Sequence, residues 1–160
     1  MKYSIIFLVE EAGDDFSQFF DTICRLFEKQ REDFEVLVVA NSTEKFVNSE
    51  LRRPGSRPEK LKIVTFQKKA PQPVCLKVAL SECSGTEILT LGSTQELSSD
   101  SYEKLVRSMI EGVDLILPSR SPRNGPALNR LHSKMLNQAI RWMLGVDVHD
   151  IGCNVKLCRR

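Results

Sequence analysis

The chain lacks the features that define several protein classes. No stretch approaches the roughly 18 apolar residues of a membrane-spanning helix. The apolar opening at residues 1–9 is too short for a secretory core and runs directly into Glu10 and Glu11. A soluble, cytoplasmic domain without a readable targeting signal is therefore expected. The five cysteines, Cys24, Cys75, Cys83, Cys153 and Cys158, are odd in number and include no CxxC pair. That argues against a disulfide framework and a zinc site, and predicts reduced, partly buried thiols. A net charge of only +2 argues against a general nucleic-acid partner. The two histidines, His132 and His149, read as ordinary helix and turn residues. Neither Ser119 nor any cysteine has the neighbours of a nucleophile–base arrangement.

What is present is an alternation of short apolar runs and amphipathic stretches. Strands are predicted at Tyr3–Val9, 34–40, Leu61–Phe66, Glu87–Leu91 and 113–118. Between them, Phe16, Phe19, Phe20, Ile23, Leu26 and Phe27 fall on one helical face, with Asp14 or Asp15 as cap. A second helix is expected at 73–82, with Val74, Lys77 and Val78 near one stripe and Gly85 as its stop. A third follows Ser99 and carries Tyr102, Leu105, Val106, Met109 and Ile110. A long helix at 126–144 ends at Gly145. Residues 41–44 read as a turn, and the Arg-, Pro-, Gly- and Ser-rich stretch 50–60 as a surface loop. There is no internal repeat, so residues 1–160 read as one domain. Its fold class is α/β, a three-layer, mostly parallel sheet with helices on both faces and right-handed crossovers. Ligands of such sheets bind at the carboxyl ends of the strands, here residues 9–11, 40–44, 67–71, 92–96 and 119–123. No GxGxxG follows the first strand and no P-loop occurs, which removes dinucleotide-binding and P-loop folds. Gln67 stands where a receiver domain would need an aspartate.

Four segments, in order, carry a family resemblance. EVLVVANSTE (35–44) resembles the strand and turn E-(I/V)-(I/V)-V-V-D-D-G-S-T-D. VCLKVALSECSGTEILTL (74–91) resembles an Ala-rich helix running into A-x-G-(D/E)-x-(I/V)-(L/V). GVDLILPSR (112–120) resembles G-x-D-(I/V)-V-x-G-S-R. GVDVHDIGCNVKLCRR (145–160) resembles the closing motif of dolichyl- and undecaprenyl-phosphate sugar synthases, with Asp150 as its aspartate and Lys156 as its basic partner. Together they resemble the family 2 glycosyltransferases almost from end to end. The resemblance implies a GT-A fold, a nucleoside diphosphate sugar as donor, inversion at the anomeric carbon, and a polyprenyl phosphate as acceptor. It also implies a divalent metal, Mg2+ or Mn2+, to neutralise the departing diphosphate. A phosphate acceptor is already ionised, so no catalytic base is required.

The resemblance also places the candidate residues. Glu10, Glu11, Asn41, Lys69 and Thr94 fall at nucleotide-sugar positions, with Lys68 beside them. Arg120, Arg123, Arg130 and Ser133 fall in the acceptor-phosphate region, where arginine suits bidentate phosphate contacts. Three departures stand out. The metal motif Asp-x-Asp is replaced by Gly92–Ser93–Thr94, leaving Glu96 as the one carboxylate at that edge and a weak metal ligand. Ala40 and Asn41 replace carboxylates that hold the ribose and base. Pro71 replaces a glycine beside the diphosphate. Trp142 reads as a core or partner-facing indole on a helix that faces the membrane or acceptor in relatives.

Two functions follow from this pattern. One is a transferase acting from a nucleotide sugar to a polyprenyl-phosphate acceptor. The other is an inactive glycosyltransferase-fold domain that binds or scaffolds after losing its metal site. Relatives continue past the closing motif into interfacial or membrane helices, so a chain extending beyond Arg160 and associating with a membrane surface is also expected.

Overall fold

The computed structural model describes residues 2–10, 13, 15–42, 44–51, 58–120, 138, 142, 143, 145, 150 and 152–160. Among them the elements are β1 (Tyr3–Val9), α1 (Phe16–Lys29), β2 (Phe34–Asn41), α2 (Glu44–Leu51), β3 (Leu61–Phe66), α3 (Gln72–Glu82), β4 (Glu87–Leu91), α4 (Ser99–Arg107), β5 (Leu115–Ile116) and β6 (Lys156–Arg159). The sheet order is β3-β2-β1-β4-β6-β5. Strands β1 to β4 pair in parallel, while β6 runs antiparallel to both β4 and β5. No helix among the described residues is long and apolar enough to cross a membrane.

Strands β1 and β2 read as near-continuous apolar runs because both of their faces are covered. One face meets α1, α2 and α4. There Tyr3, Ile5, Phe7 and Val9 pack with Phe16, Phe19, Phe20, Ile23 and Phe27 of α1, and with Tyr102, Leu105 and Val106 of α4. Phe7 lies at the centre of this layer, with ring centroids 5.8, 5.7 and 5.3 Å from Phe16, Phe19 and Phe20. The other face carries Ile6, Leu8, Leu37, Val39 and Ile88 against Cys75 and Ala79 of α3. Helices on both faces complete the three layers.

At the amino-terminal end of the sheet, Glu35 is buried among donors. Its Oε1 accepts from the Ser4 hydroxyl at 2.7 Å, the Ser84 N–H at 2.6 Å and the Ser84 hydroxyl at 2.8 Å, and Lys62 lies 3.2 Å from Oε2. Burial works to raise this carboxyl, but the bonds from Ser4, Ser84 and Lys62 outweigh it and bring it down to about 2.

The structure corrects several sequence expectations. A helix, α2, occupies 44–51, where a turn and the start of a loop were expected. The stripe that α3 buries is Cys75 and Ala79, not Val74, Lys77 and Val78; Val74 is 44% exposed. Apolar residues surround that helix, so two stripes one residue apart fit the sequence equally well. Gly85 is not a helix stop, since α3 ends at Glu82. A Cβ there would lie 2.6 Å from the Ser4 nitrogen, so a close backbone crossing requires the glycine. Ser98 rather than Ser99 is the cap residue of α4, which ends at Arg107, and Ile110 is exposed. The fifth strand shrinks to two residues, and the closing motif supplies β6. Trp142 and Met143 are exposed, which removes the core alternative for the Trp142 indole. Asp14, Thr43, His132 and His149, most of the 126–144 helix and most of the 50–60 loop lie outside the described residues.

Candidate functional site

Parallel strands end together, and the register aligns their carboxyl ends. Val9 pairs with Ala40, Ala40 with Thr65, Asn41 with Phe66, and Phe7 with Leu91. Glu10, Asn41, Gln67 and Gly92 therefore share one edge. The antiparallel β6 begins at that same edge, since Thr90 pairs with Lys156. This brings residues 150 and 152–154 over the end of β4. The Thr90 hydroxyl donates to the Asn154 carbonyl at 2.9 Å and fixes the approach.

Asn41 lies at the end of β2 and is 1% exposed. Its Nδ2 donates to the Ala70 carbonyl and its Oδ1 accepts the Ala70 N–H, both at 2.8 Å. Its amide thereby anchors the 67–71 loop at Ala70 through both its donor and its acceptor. Ser42 follows with a φ of 66° and donates its N–H to the Phe66 carbonyl at 3.0 Å, a left-handed backbone that a non-glycine residue adopts at a cost of about 1 kcal/mol. The anchored loop carries Lys68 and Lys69 exposed and delivers Pro71 to the start of α3. Glu10 is half-buried and lies near enough to help raise the Cys75 thiol, which burial raises first. Thr94 is exposed, and its methyl lies 3.6 Å from where a Cβ on Gly13 would be, which joins the loops after β1 and β4.

The densest polar contact lies just beyond β4. Glu96 Oε1 accepts from Asn154 Nδ2 at 2.6 Å, and the Asn154 N–H lies 3.3 Å from both carboxylate oxygens. Glu96 Oε2 takes Arg120 Nη1 at 3.0 Å. Arg120 turns its other edge to Asp150, with Nε to Oδ2 at 2.9 Å and Nη2 to Oδ1 at 3.1 Å, and its backbone N–H also reaches Oδ2 at 3.2 Å. Gln72, at the start of α3, donates to Asn154 Oδ1 at 3.1 Å. Hydrogen bonding to Asp150 raises the Arg120 guanidinium further above its already high value, against the opposing effect of burial. The side chains of Glu96 and Asp150 are 9% and 1% exposed and that of Arg120 31%, so of the three only the arginine is substantially open to solvent.

Of the sequence candidates, the structure brings Glu96 and Arg120 into direct contact and sets Glu10, Asn41, Lys69 and Thr94 along the same edge. Glu11, Arg123, Arg130 and Ser133 lie outside the described residues. Asp150 binds Arg120, where sequence reading paired it with Lys156; Lys156 donates to the Cys153 carbonyl at 2.6 Å. Sequence reading missed Asn154 and Gln72 altogether. The register of β6 was the missing signal, because it alone places Asn154 beside Glu96. Among the described residues, no three His, Cys, Asp or Glu side chains group so as to hold a metal ion.

The parallel strands, the reversed β6 and the polar edge they converge on form the sheet architecture of the GT-A fold. Over 99% of its length the chain superposes on glucosyl-3-phosphoglycerate synthase from Mycobacterium tuberculosis in complex with UDP, at a TM-score of 0.67, 16% identity and 56% coverage of that chain. A mannosyltransferase from Pyrobaculum calidifontis in complex with GDP-Man and Mn2+ matches over the same share, at a TM-score of 0.64, 16% identity and 44% of its own chain. No protein-family profile matches. In sequence, the undecaprenyl-phosphate 4-deoxy-4-formamido-L-arabinose transferase of Pseudomonas syringae pv. syringae strain B728a is 25% identical over 128 residues, or 79% of this chain. The protein of the same name from Pseudomonas fluorescens Pf0-1 is 24% identical over 131 residues. In fold the chain is similar to GT-A glycosyltransferases, and in sequence it is similar to undecaprenyl-phosphate sugar transferases. It spans 38% of the length of these two curated relatives.

Proposed function

We propose that this chain is the nucleotide-sugar-binding portion of a family 2 glycosyltransferase that transfers a sugar to the phosphate of a polyprenyl-type lipid. The observation that carries the proposal is the shared edge at the ends of β1, β2 and β4. A loop pinned by Asn41 offers Lys68 and Lys69 on one side of that edge, and the Glu96–Arg120–Asp150 group closes the other. In this reading Glu10, Glu11, Lys69 and Thr94 serve the nucleotide and sugar, and Asn41 positions the loop that carries Lys69. Arg120, Arg123, Arg130 and Ser133 serve the acceptor phosphate. An oxygen of that phosphate attacks the anomeric carbon, and the bond from that carbon to the donor diphosphate breaks. The nucleoside diphosphate leaves with the electron pair. No proton needs to be removed from the nucleophile, so the chain's contribution is alignment and positive charge. A cytoplasmic chain working at a membrane surface fits a lipid-phosphate acceptor.

The residues present do not fit the divalent metal that the family resemblance implies. Positions 92–94 offer no carboxylate, and both oxygens of Glu96 already accept from nitrogen donors. A second reading, a domain that binds nucleotide sugar without turning it over, rests on the same occupancy. Titration with UDP- and GDP-sugars, read as melting temperature and calorimetric heat, tests both. A rise of several degrees is expected for one of the two nucleotide classes. No shift with any nucleotide sugar would sink both readings. Binding without transfer to a polyprenyl phosphate would leave the second.

A further inference from the structure

The group of residues beyond β4 is charged and part-buried, and its centre is a side chain rather than an open position. Arg120 lies between two carboxylates and donates three side-chain bonds of 2.9 to 3.1 Å, two to Asp150 and one to Glu96. Asn154 fills the remaining side of Glu96 through its backbone and side chain, and Gln72 holds Asn154 in turn. The network has also grown into position 92. A Cβ on Gly92 would lie 3.3 Å from both Asn154 Nδ2 and Glu96 Oε1, tight enough that one of the two must shift. A small divalent cation such as Mg2+ takes octahedral oxygen ligands at roughly 2.0–2.1 Å and sheds water reluctantly. To enter here, one would have to strip a guanidinium and an amide from Glu96 and leave buried donors unpaired.

We infer that Arg120 is the resident cation at the end of β4 and that this site takes no divalent metal. The guanidinium holds the place between Glu96 and Asp150 permanently and keeps its remaining N–H donors for an anionic ligand. Resting on the glycosyltransferase reading for its ligand, the inference has the acceptor phosphate meet the fixed N–H donors of Arg120, while the nucleoside diphosphate binds without an exchangeable ion. Arginine suits the task, since it cannot lose its charge and its planar fork matches phosphate oxygens.

The test titrates Mn2+ alone into the wild-type chain, and into Arg120→Met and Glu96→Gln, by calorimetry and by Mn2+ electron paramagnetic resonance. Wild type is expected to show no saturable binding tighter than about 1 mM. Arg120→Met leaves two carboxylates facing each other, and should gain Mn2+ affinity by at least about tenfold and a melting temperature that rises with Mn2+. The wild-type titration decides even if that variant does not fold. Saturable wild-type binding that Glu96→Gln abolishes overturns the inference, as does a folded Arg120→Met chain that gains none. UDP and GDP titrated in EDTA and in Mn2+ should bind equally. Affinity raised about tenfold or more by Mn2+ overturns the inference. No nucleotide binding in either condition, with the Mn2+ result as expected, sinks the glycosyltransferase reading alone.

Discussion

A methyl group on Gly85 would meet the Ser4 nitrogen at 2.6 Å and the Tyr3 carbonyl carbon at 2.7 Å. Backbone atoms at the centre of a sheet cannot retreat cheaply. Gly85→Ala is therefore expected to cost about 1–3 kcal/mol, read as a lower urea midpoint with an unchanged slope. The Ser4 hydroxyl, which the Gly85 N–H reaches at 2.8 Å, also donates to Glu35, so the two residues share one junction. The folded Glu35 carboxyl titrates at about 2, against 4.5 for an unperturbed glutamate. Because the folded value is the lower one, its stabilisation is complete above about pH 4.5 and is lost as the pH falls toward 2. The difference corresponds to roughly 3 kcal/mol. Denaturant titrations across that window should show the loss in wild type and a flatter profile in Glu35→Gln. Neither role was legible in the chain: Glu35 reads as one polar residue in an apolar strand, and Gly85 as punctuation.

Among the elements, α1 and β1 were the most legible, because each repeats one physical demand over several turns or pleats. Six apolar residues of α1 at helical spacing meet the odd-numbered side of β1, and Phe7 touches three of their rings. Phe7→Ala should remove about 3–5 kcal/mol, measured as a fall in melting temperature without change of fold by circular dichroism. Helix α3 gave the opposite result. Val74 and Val78 satisfy the i, i+4 rule as well as Cys75 and Ala79 do, and only the sheet beneath decides between them. Strand β6 was hidden for a related reason. KLCR shows little apolar alternation, and its place is set by β4 and β5 on either side rather than by its own sequence.

At the scale of the whole molecule, the parallel sheet and its ligand edge followed from element order, since parallel strands must finish at one end. The chemistry of that edge followed only in part. Glu96 and Arg120 were visible as candidates, but their contact spans 24 residues and that of Gln72 with Asn154 spans 82. No local spacing reports such a meeting. Nucleotide-sugar binding with no dependence on Mn2+ is the expected outcome for the molecule as a whole. The slot filled by β6 has a further consequence during synthesis. Glu87 pairs with Arg159, and at about 5–20 residues per second a ribosome needs roughly 4–14 seconds to make the chain between them. Throughout that interval Ile88, Leu89 and Leu91 border an unpaired strand edge, the kind of surface on which nascent chains stick to one another. Slow translation of the final third would thus lengthen the most vulnerable period of this protein's life and its need for a chaperone.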